Sequence, residues 1–243
     1  MSAPTGPPDQ LYFRQLLSGR DFAVGDPVAT QMVNFAYLIG DREAGEAVLV
    51  DPAYKVDELV ELAAADGFRV VGALVTHHHP DHVGGSMGGW SLEGVAELLG
   101  RGGGPIHVHR EEAEFVQRVT GASAGDLAVH ESGDVVEVGA VRVELLHTPG
   151  HTPGSQCFLV DGMLVAGDTL FIEGCGRTDF PGSDPSAMFD SLQRLASLPD
   201  DTVLFPGHRY SIPSSGTMAA IKEMNVVYRT GDRDRWLAMF GAP

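Results

Sequence analysis

Two packed β-sheets with helices on their outer faces, an α/β architecture, are what this sequence predicts, and three observations lead there. Short apolar runs that read as strands alternate with longer stretches at helical spacing. Hairpin-type turns and crossover helices are mixed, which fits two packed sheets better than a single parallel one. Of the 243 residues, 43% are hydrophobic, enough to fill a substantial core. The expectation is one domain over 1–243, with a flexible Pro-rich leader at 1–10 and two pseudo-halves meeting near 125–135.

The elements follow in order. "LYFRQLL" (11–17), "NFAYLIG" (34–40) and "AVLVDP" (47–52) are short apolar and aromatic runs, and "GDREAG" between the last two is a turn with Gly and Asp. They predict an antiparallel meander. In "YKVDELVELAAADGF" (54–68), Val56, Leu59, Val60 and Leu62 to Ala64 recur at helical spacing up to Gly67, and "RVVGALVT" (69–76) returns at once as a strand. A short helix opened by Ser91 and closed by glycines is expected in "SLEGVAELLGRGGG" (91–104), and the run "GWSLEGVAELLGRGGG" (89–104) that contains it reads as an insertion lining a groove. "PIHVH" (105–109) is a further strand and "REEAEFVQRV" (110–119) a further helix. The second half repeats the style, with strands in 134–150 and 156–171, a helix in "DPSAMFDSLQRLASL" (184–198), the strand "TVLFPGH" (202–208) and helical residues near the C-terminus. No repeat at a solenoid period is evident.

Charge and composition exclude several classes. With 33 acidic against 16 basic residues the formal net charge is −17, which argues against nucleic acid or an anionic membrane surface as partner. No apolar run approaches the ~18 residues of a spanning helix, and the N-terminal segment lacks the pattern of a secretory signal, so a cytoplasmic location is expected. Two cysteines, Cys157 and Cys175, indicate neither a disulfide framework nor a thiolate zinc knot.

The chemistry concentrates in "THHHPDHVGG" (76–85), where four histidines and an aspartate crowd behind a strand. Pro80 constrains the backbone so that residues 77, 79 and 82 can converge. Neutral imidazole and carboxylate suit a borderline divalent ion such as zinc or iron. Other strands end in the same way: His147 and His151 follow "VRVELL", Asp168 follows "MLVAG" and His208 follows "TVLFPG". Solvated turns do not explain so many strand ends delivering His or Asp. For His107, His130 and His147 an ordinary surface or supporting role is the simpler reading.

"HHHPDH", with His151, Asp168 and His208 following in order, resembles the H-x-H-x-D-H signature and later ligands of the metallo-β-lactamase superfamily, over nearly the whole chain from about residue 11. The resemblance implies a four-layer αββα sandwich with two adjacent metal positions at the sheet edge. His77, His79 and His151 would hold one ion, Asp81, His82 and His208 the other, and Asp168 would bridge. "LVAGDTLFIEGCGRTDF" and "PGHRY" resemble the glyoxalase II and persulfide dioxygenase branch, which implies that Arg177 and Tyr210 help to hold a low-molecular-weight thiol such as glutathione; without it, Arg177 reads as a salt bridge with Asp179. "GCGRTDF" and "HTPGHTPG" look like the dioxygenases, whereas "THHHPDHVGG" is closer to the hydrolases and Ser155 stands where the dioxygenases often have cysteine.

The preferred expectation is a hydrolase of a thiol's thioesters with two divalent ions, most simply zinc, though iron or a mixed pair also fits. Asp81 would ligate and orient the nucleophile, and Asp168 would bridge. The alternatives are a persulfide dioxygenase with one Fe(II) held among His77, His79, His151 and Asp168, and a lactone or other ester hydrolase. A non-catalytic scaffold would be expected to lack one of the seven ligands, and none is lacking. The expected partner is a thiol-conjugated small molecule, and the expected state a monomer or homodimer.

Overall fold

A computed structural model describes residues 10–241, so the segment expected as a leader lies, apart from Gln10, outside the described residues. The chain runs through β1 (Leu11–Leu17), α1 (Pro27–Met32), β2 (Phe35–Asp41), β3 (Glu46–Val50), α2 (Val56–Ala65), β4 (Arg69–Leu74) and a single turn α3 (Pro80–Val83). A small hairpin, β5 (Gly85–Met87) and β6 (Trp90–Leu92), precedes α4 (Val95–Gly100), β7 (Ile106–His109), α5 (Ala113–Thr120) and β8 (Leu127–His130). Then come β9 (Val135–Val138), β10 (Val141–His147), β11 (Gln156–Val160), β12 (Met163–Gly167), α6 (Pro185–Ala196), β13 (Val203–Pro206), β14 (Gly216–Thr217), α7 (Met218–Met224), α8 (Val226–Arg229) and α9 (Arg233–Phe240).

Two six-stranded sheets result, in the orders β1-β2-β3-β4-β7-β8 and β14-β13-β12-β11-β10-β9. Each begins as an antiparallel meander and continues through parallel neighbours, β3 with β4, β7 and β8 in one and β12 with β13 in the other.

Strand alternation explains the layering. All of β2 is buried, and its residues divide by parity: Phe35, Tyr37 and Ile39 pack between the sheets against Val143, Leu145 and Phe158, while Ala36 and Leu38 face the other way, among residues of α1 and α2 such as Ala29 and Leu59. A third cluster joins Leu146, Leu164 and Leu204 of the second sheet to Met188, Leu192 and Leu195 of α6 and to Trp236 of α9. Three apolar interfaces make four layers, helix, sheet, sheet, helix. The helices start where local chemistry allows: Asp26 and Asp184 each accept two backbone N–H bonds at a helix N-terminus, followed by Pro27 and Pro185 in the first turn.

Some elements differ from expectation. The helix expected from Ser91 begins at Val95, because Trp90–Leu92 is drawn into a hairpin with Gly85–Met87. Gly94 is needed there, since a Cβ would lie 2.0 Å from the Val83 carbonyl oxygen. Nor does the 89–104 stretch line the central cavity; Met87, just before it, does. The first turn of the 110–119 helix is a 3₁₀ turn, Arg110–Glu112.

The fold brings together the strand ends that carry the candidate metal-binding residues. β3 and β4 run parallel, and β10, β12 and β13 share one direction, so the residues after each of them emerge on one edge. Backbone bonds stitch the sheets there: the Phe35 N–H donates to the Gly207 carbonyl (2.8 Å), Arg209 to Val33 (2.9 Å) and Gln156 to Thr76 (2.9 Å).

Candidate metal centre

Five imidazoles and two carboxylates converge at this edge. His77 Nε2 lies 3.1 Å from His79 Nδ1, which lies 3.0 Å from His151 Nε2. His82 Nε2 lies 3.2 Å from His208 Nε2, and Asp81 Oδ2 is 3.5 Å from the first and 3.4 Å from the second. Asp168 stands between the sets, with Oδ2 3.7 Å from His151 Nε2 and 3.4 Å from His208 Nε2, and Oδ1 3.5 Å from His82 Nε2. Ligand atoms at about 2.0–2.1 Å around one tetrahedral ion would be about 3.3–3.4 Å apart, close to these spacings.

The far side of each ring shows which atom is free to ligate. His151 Nδ1 donates to the Arg177 carbonyl and His208 Nδ1 to the Met32 carbonyl, both at 2.8 Å. His82 Nδ1 donates to Asp51 Oδ2 at 2.9 Å, and His77 Nδ1 meets Thr76 Oγ1 at 3.0 Å, a hydroxyl that itself donates to Asp51. With Nδ1–H engaged, each of these four rings, once its Nε2 is deprotonated, presents an Nε2 lone pair to the centre. Asp168 Oδ1 is buried without a hydrogen-bond partner, an orphan that a cation would satisfy. Gly207 keeps the space clear, since a Cβ there would lie 2.4 Å from that oxygen. Gly176 lets the loop after Asp168 pass the His151 ring, where a Cβ would sit 3.0 Å from Nδ1. The donor set therefore fits two adjacent divalent ions.

Electrostatics divide the cluster. Burial and the surrounding imidazoles hold His77 well below its usual range, and burial with His151 and His78 takes His79 down to about 3, so both are uncharged at neutral pH. Burial also opposes charge on His82, but Asp81, Asp168 and Asp51 outweigh it and push the ring up to about 10. For Asp168 burial raises and the nearby His208, His82 and His151 lower, and the cations win, holding the carboxyl far below its usual range. In the metal-free site His82 thus holds a proton that an ion would displace.

The sequence did not single out the residues that hold the candidate ligands. Asp51 accepts from the Thr76 N–H and hydroxyl and from His82 Nδ1 at 2.6–2.9 Å, so both its oxygens are engaged and it acts as a support. It follows the strand run "AVLV" just as Asp168 follows "MLVAG", and that likeness could have found it. Asn34 donates from Nδ2 to Asp81 Oδ2 (3.1 Å), and its Oδ1 accepts the Tyr54 hydroxyl (2.6 Å). Fully buried Glu112 accepts from the His78 N–H (2.7 Å) and Nδ1 (2.6 Å), Thr152 Oγ1 (2.9 Å) and the Gly154 N–H (3.0 Å). It clamps the loop of His77 and His79 to the loop of His151. His78 therefore turns away from the centre and stacks on Phe115. His107 and His130 pair with each other at 2.9 Å, and His109 stacks on His147, all outside the ligand sets.

A cavity of about 710 Å³ opens over the cluster, lined by His79, Asp81, His151, Asp168 and His208 and by Met32, Met87, Phe171, Phe180, Glu173, Arg177 and Tyr210. Tyr210, 55% exposed, stacks on the His208 ring at 4.7 Å with only 6° between planes. Arg177 lies over Phe180, and its guanidinium meets Asp179 through Nε–Oδ1 (2.8 Å) and Nη2–Oδ2 (2.6 Å). Both residues named from the sequence reach the cavity wall, and the expected ion pair with Asp179 is formed as well.

The family model described as the metallo-β-lactamase superfamily matches residues 29–208. The chain belongs to that superfamily. It is 36% identical to the hydroxyacylglutathione hydrolase of Aeromonas hydrophila over 197 residues, 79% of this chain and 67% of that one. It is also 36% identical to the mitochondrial persulfide dioxygenase ETHE1 of Homo sapiens over 180 residues, 72% of this chain and 64% of that one. The crystal structure of ETHE1 from Myxococcus xanthus superposes with a TM-score of 0.76 at 29% identity, covering 96% of this chain and 92% of that one. These relatives are enzymes of the branch to which the "GCGRTDF" and "PGHRY" motifs pointed, and the four-layer sandwich is the fold of the superfamily.

Proposed function

We propose that this chain is a metal-dependent hydrolase that cleaves a thioester of a low-molecular-weight thiol, with two ions, zinc in the simplest case. One would be held by His77, His79, His151 and Asp168, the other by Asp81, His82, His208 and Asp168. The observation behind this reading is the position of Asp168, a single buried carboxylate within 3.7 Å of ligand atoms of both sets. The Aeromonas relative supports the thiol class of the substrate.

When bound, a pair of ions in such a site supplies Lewis acidity, making hydroxide available at neutral pH and polarising a carbonyl. The protein does the rest. The Tyr54 hydroxyl fixes the Asn34 amide so that its N–H points at Asp81, and Asp81 Oδ2 is thereby held still. Its other oxygen is left to accept a proton from, and so orient, an attacking water. Phe171, Phe180, Met32 and Met87 keep the wall apolar around the scissile bond. Arg177 retains Nη1 to donate to the thiol carrier, and Tyr210 offers a hydroxyl beside it. Action in the cytoplasm is part of this reading; among the described residues no helix is long and apolar enough to cross a membrane.

One observation favours a second reading, a persulfide dioxygenase with a single iron: the likeness to the Myxococcus protein extends over nearly all of both chains. His77 or His79 with His151 and Asp168 would supply the two-His, one-carboxylate set. The variant His208→Ala separates the readings because it removes a ligand of only the second set. In a dinuclear hydrolase it lowers metal content from two ions towards one and thioester cleavage by about a hundredfold or more, the scale of losing a main electrostatic contributor. One tightly bound iron, oxygen uptake with a persulfide and no thioester turnover in the unmutated protein would refute the hydrolase.

A further inference from the structure

The cavity wall says something about the thiol carrier that the metal ligands do not. Among the described residues, the lining contains a single arginine or lysine, Arg177. Its guanidinium is already forked onto Asp179 by two bonds of 2.8 and 2.6 Å, so the pair presents N–H donors without an unopposed positive charge. Arg209, next to Tyr210, does not line the cavity.

On the same wall stands Glu173, an exposed carboxylate. No side-chain hydrogen bond or ion pair engages it among the described residues, in contrast to Asp179 two residues beyond Arg177. The loop that carries it is pinned on both sides. Leu170 bridges Cys175, the Phe171 N–H donates to the Gly174 carbonyl, and the buried Asn225 side chain accepts from the Gly174 N–H (2.9 Å) and donates to the Phe171 and Gly174 carbonyls (3.0 and 2.9 Å). Outside the candidate metal ligands, the lining charge left without a side-chain partner among the described residues is therefore negative.

We propose that Glu173 is a specificity-determining residue and that the carrier selected here has no net negative charge: a thiol whose body bears hydroxyl, amide or amine groups facing Glu173, rather than carboxylates. This deepens the thioesterase reading and rests on it for the identity of the site. Glutathione, whose two carboxylates outweigh its single ammonium, would bring a net negative charge to Glu173, with only the neutralised Arg177–Asp179 fork to receive the carboxylates. A neutral carrier can accept from Arg177 Nη1 and donate to Glu173, and an ammonium would gain a direct charge contact.

Binding of stable thioethers tests this without turnover. S-butylglutathione and its diamide share one scaffold and differ in the two carboxylates, so calorimetric Kd values for the metal-loaded protein isolate the charge. The diamide is expected to bind about tenfold tighter or more, the scale of one charge contact in a partly solvated site. Glu173→Gln, a near-isosteric change at an exposed position, should reduce that preference several-fold, and Asp179→Asn should narrow it too by freeing the Arg177 charge. Tighter binding of the dicarboxylate by the unmutated protein, or an unchanged ratio in Glu173→Gln, overturns the proposal. Hydrolysis is scored separately with the S-lactoyl forms of both carriers. If neither is cleaved while the binding ranking and its Glu173 dependence hold, the thioesterase reading fails and the carrier selectivity stands.

Discussion

Glu112→Gln is the sharpest test of how the metal loops are held. Glu112 is fully buried and takes donors from two loops, three of them on Oε1 (the His78 N–H, His78 Nδ1 and Thr152 Oγ1) and the Gly154 N–H on Oε2. Glutamine has almost the same shape but only one accepting oxygen. Placing the amide nitrogen at Oε1 would turn it against three donors, so the tolerable orientation puts it at Oε2, facing the Gly154 N–H. A bond to a charged acceptor, worth about 1.5–3 kcal/mol, is then lost, and a buried donor is left unsatisfied at about 1–3 kcal/mol. A net loss of about 3 kcal/mol would lower the melting temperature of the metal-free protein by about 6–12 °C for a chain of this size. The ligand-bearing loops would also lose their mutual registration, and a supporting change of this kind costs about 10–100-fold in metal affinity. Thermal melts of chelator-treated protein and competition against a chromophoric chelator measure the two effects. An unchanged melt together with unchanged affinity would show that Glu112 does not tie the loops together.

The remaining expectations concern ligands, substrate and pH. His79→Ala removes a first-set ligand and should sharply reduce metal content and activity in folded protein, as read by elemental analysis; intact stoichiometry would count against the assignment. Arg177→Lys keeps a charge but loses the planar fork, and should raise KM for the active thiol substrate with a smaller change in kcat and normal metal content. Because the three carboxylates around His82 raise its folded pKa to about 10, the stability this ring contributes to the metal-free protein is fully present below its unfolded value, about 6.5, and is lost as pH rises through 10. Metal uptake runs the other way: below pH 10 an ion must displace the His82 proton, so second-site affinity should rise with pH, and titrations in buffers of different ionisation enthalpy should register proton release on binding.

The candidate ligands that the fold brings together were legible in the sequence because each follows an apolar strand run, and a polar group at such a place has no part in the core. His77, His151, Asp168 and His208 all announce themselves in this way. The supports were less visible. Glu112 sits in "REEAEF" beside Glu111 and Glu114, and only its complete burial distinguishes it from them. Asn34 reads only as the first residue of the strand run 34–40, yet it is fixed between Tyr54 and Asp81 by contacts spanning 20 and 47 residues. Long-range pairing of this kind leaves no local pattern. The hairpin at 85–92 was missed for a similar reason: its strands are three residues each, too short for an alternation to register.

Ligation and recognition also rest on different parts of the fold. The candidate metal ligands follow strands shared by two sheets, with imidazoles pinned by carbonyls and by Asp51 and packed under Gly207 and Gly176, where even a methyl group would collide. Changes there disturb several of the candidate ligands at once, so the set that would hold the ions can vary little. The carrier wall is instead the surface of the 170–180 loop, whose backbone is fixed from behind by Asn225 while Glu173, Arg177 and Asp179 point outward, exposed. Substitution at those three positions alters charge without altering the loop's anchors. It follows that, under the proposed function, the reaction and the thiol carrier can be changed independently in this architecture, and that likeness in the ligand motif, however complete, speaks to the first far more than to the second.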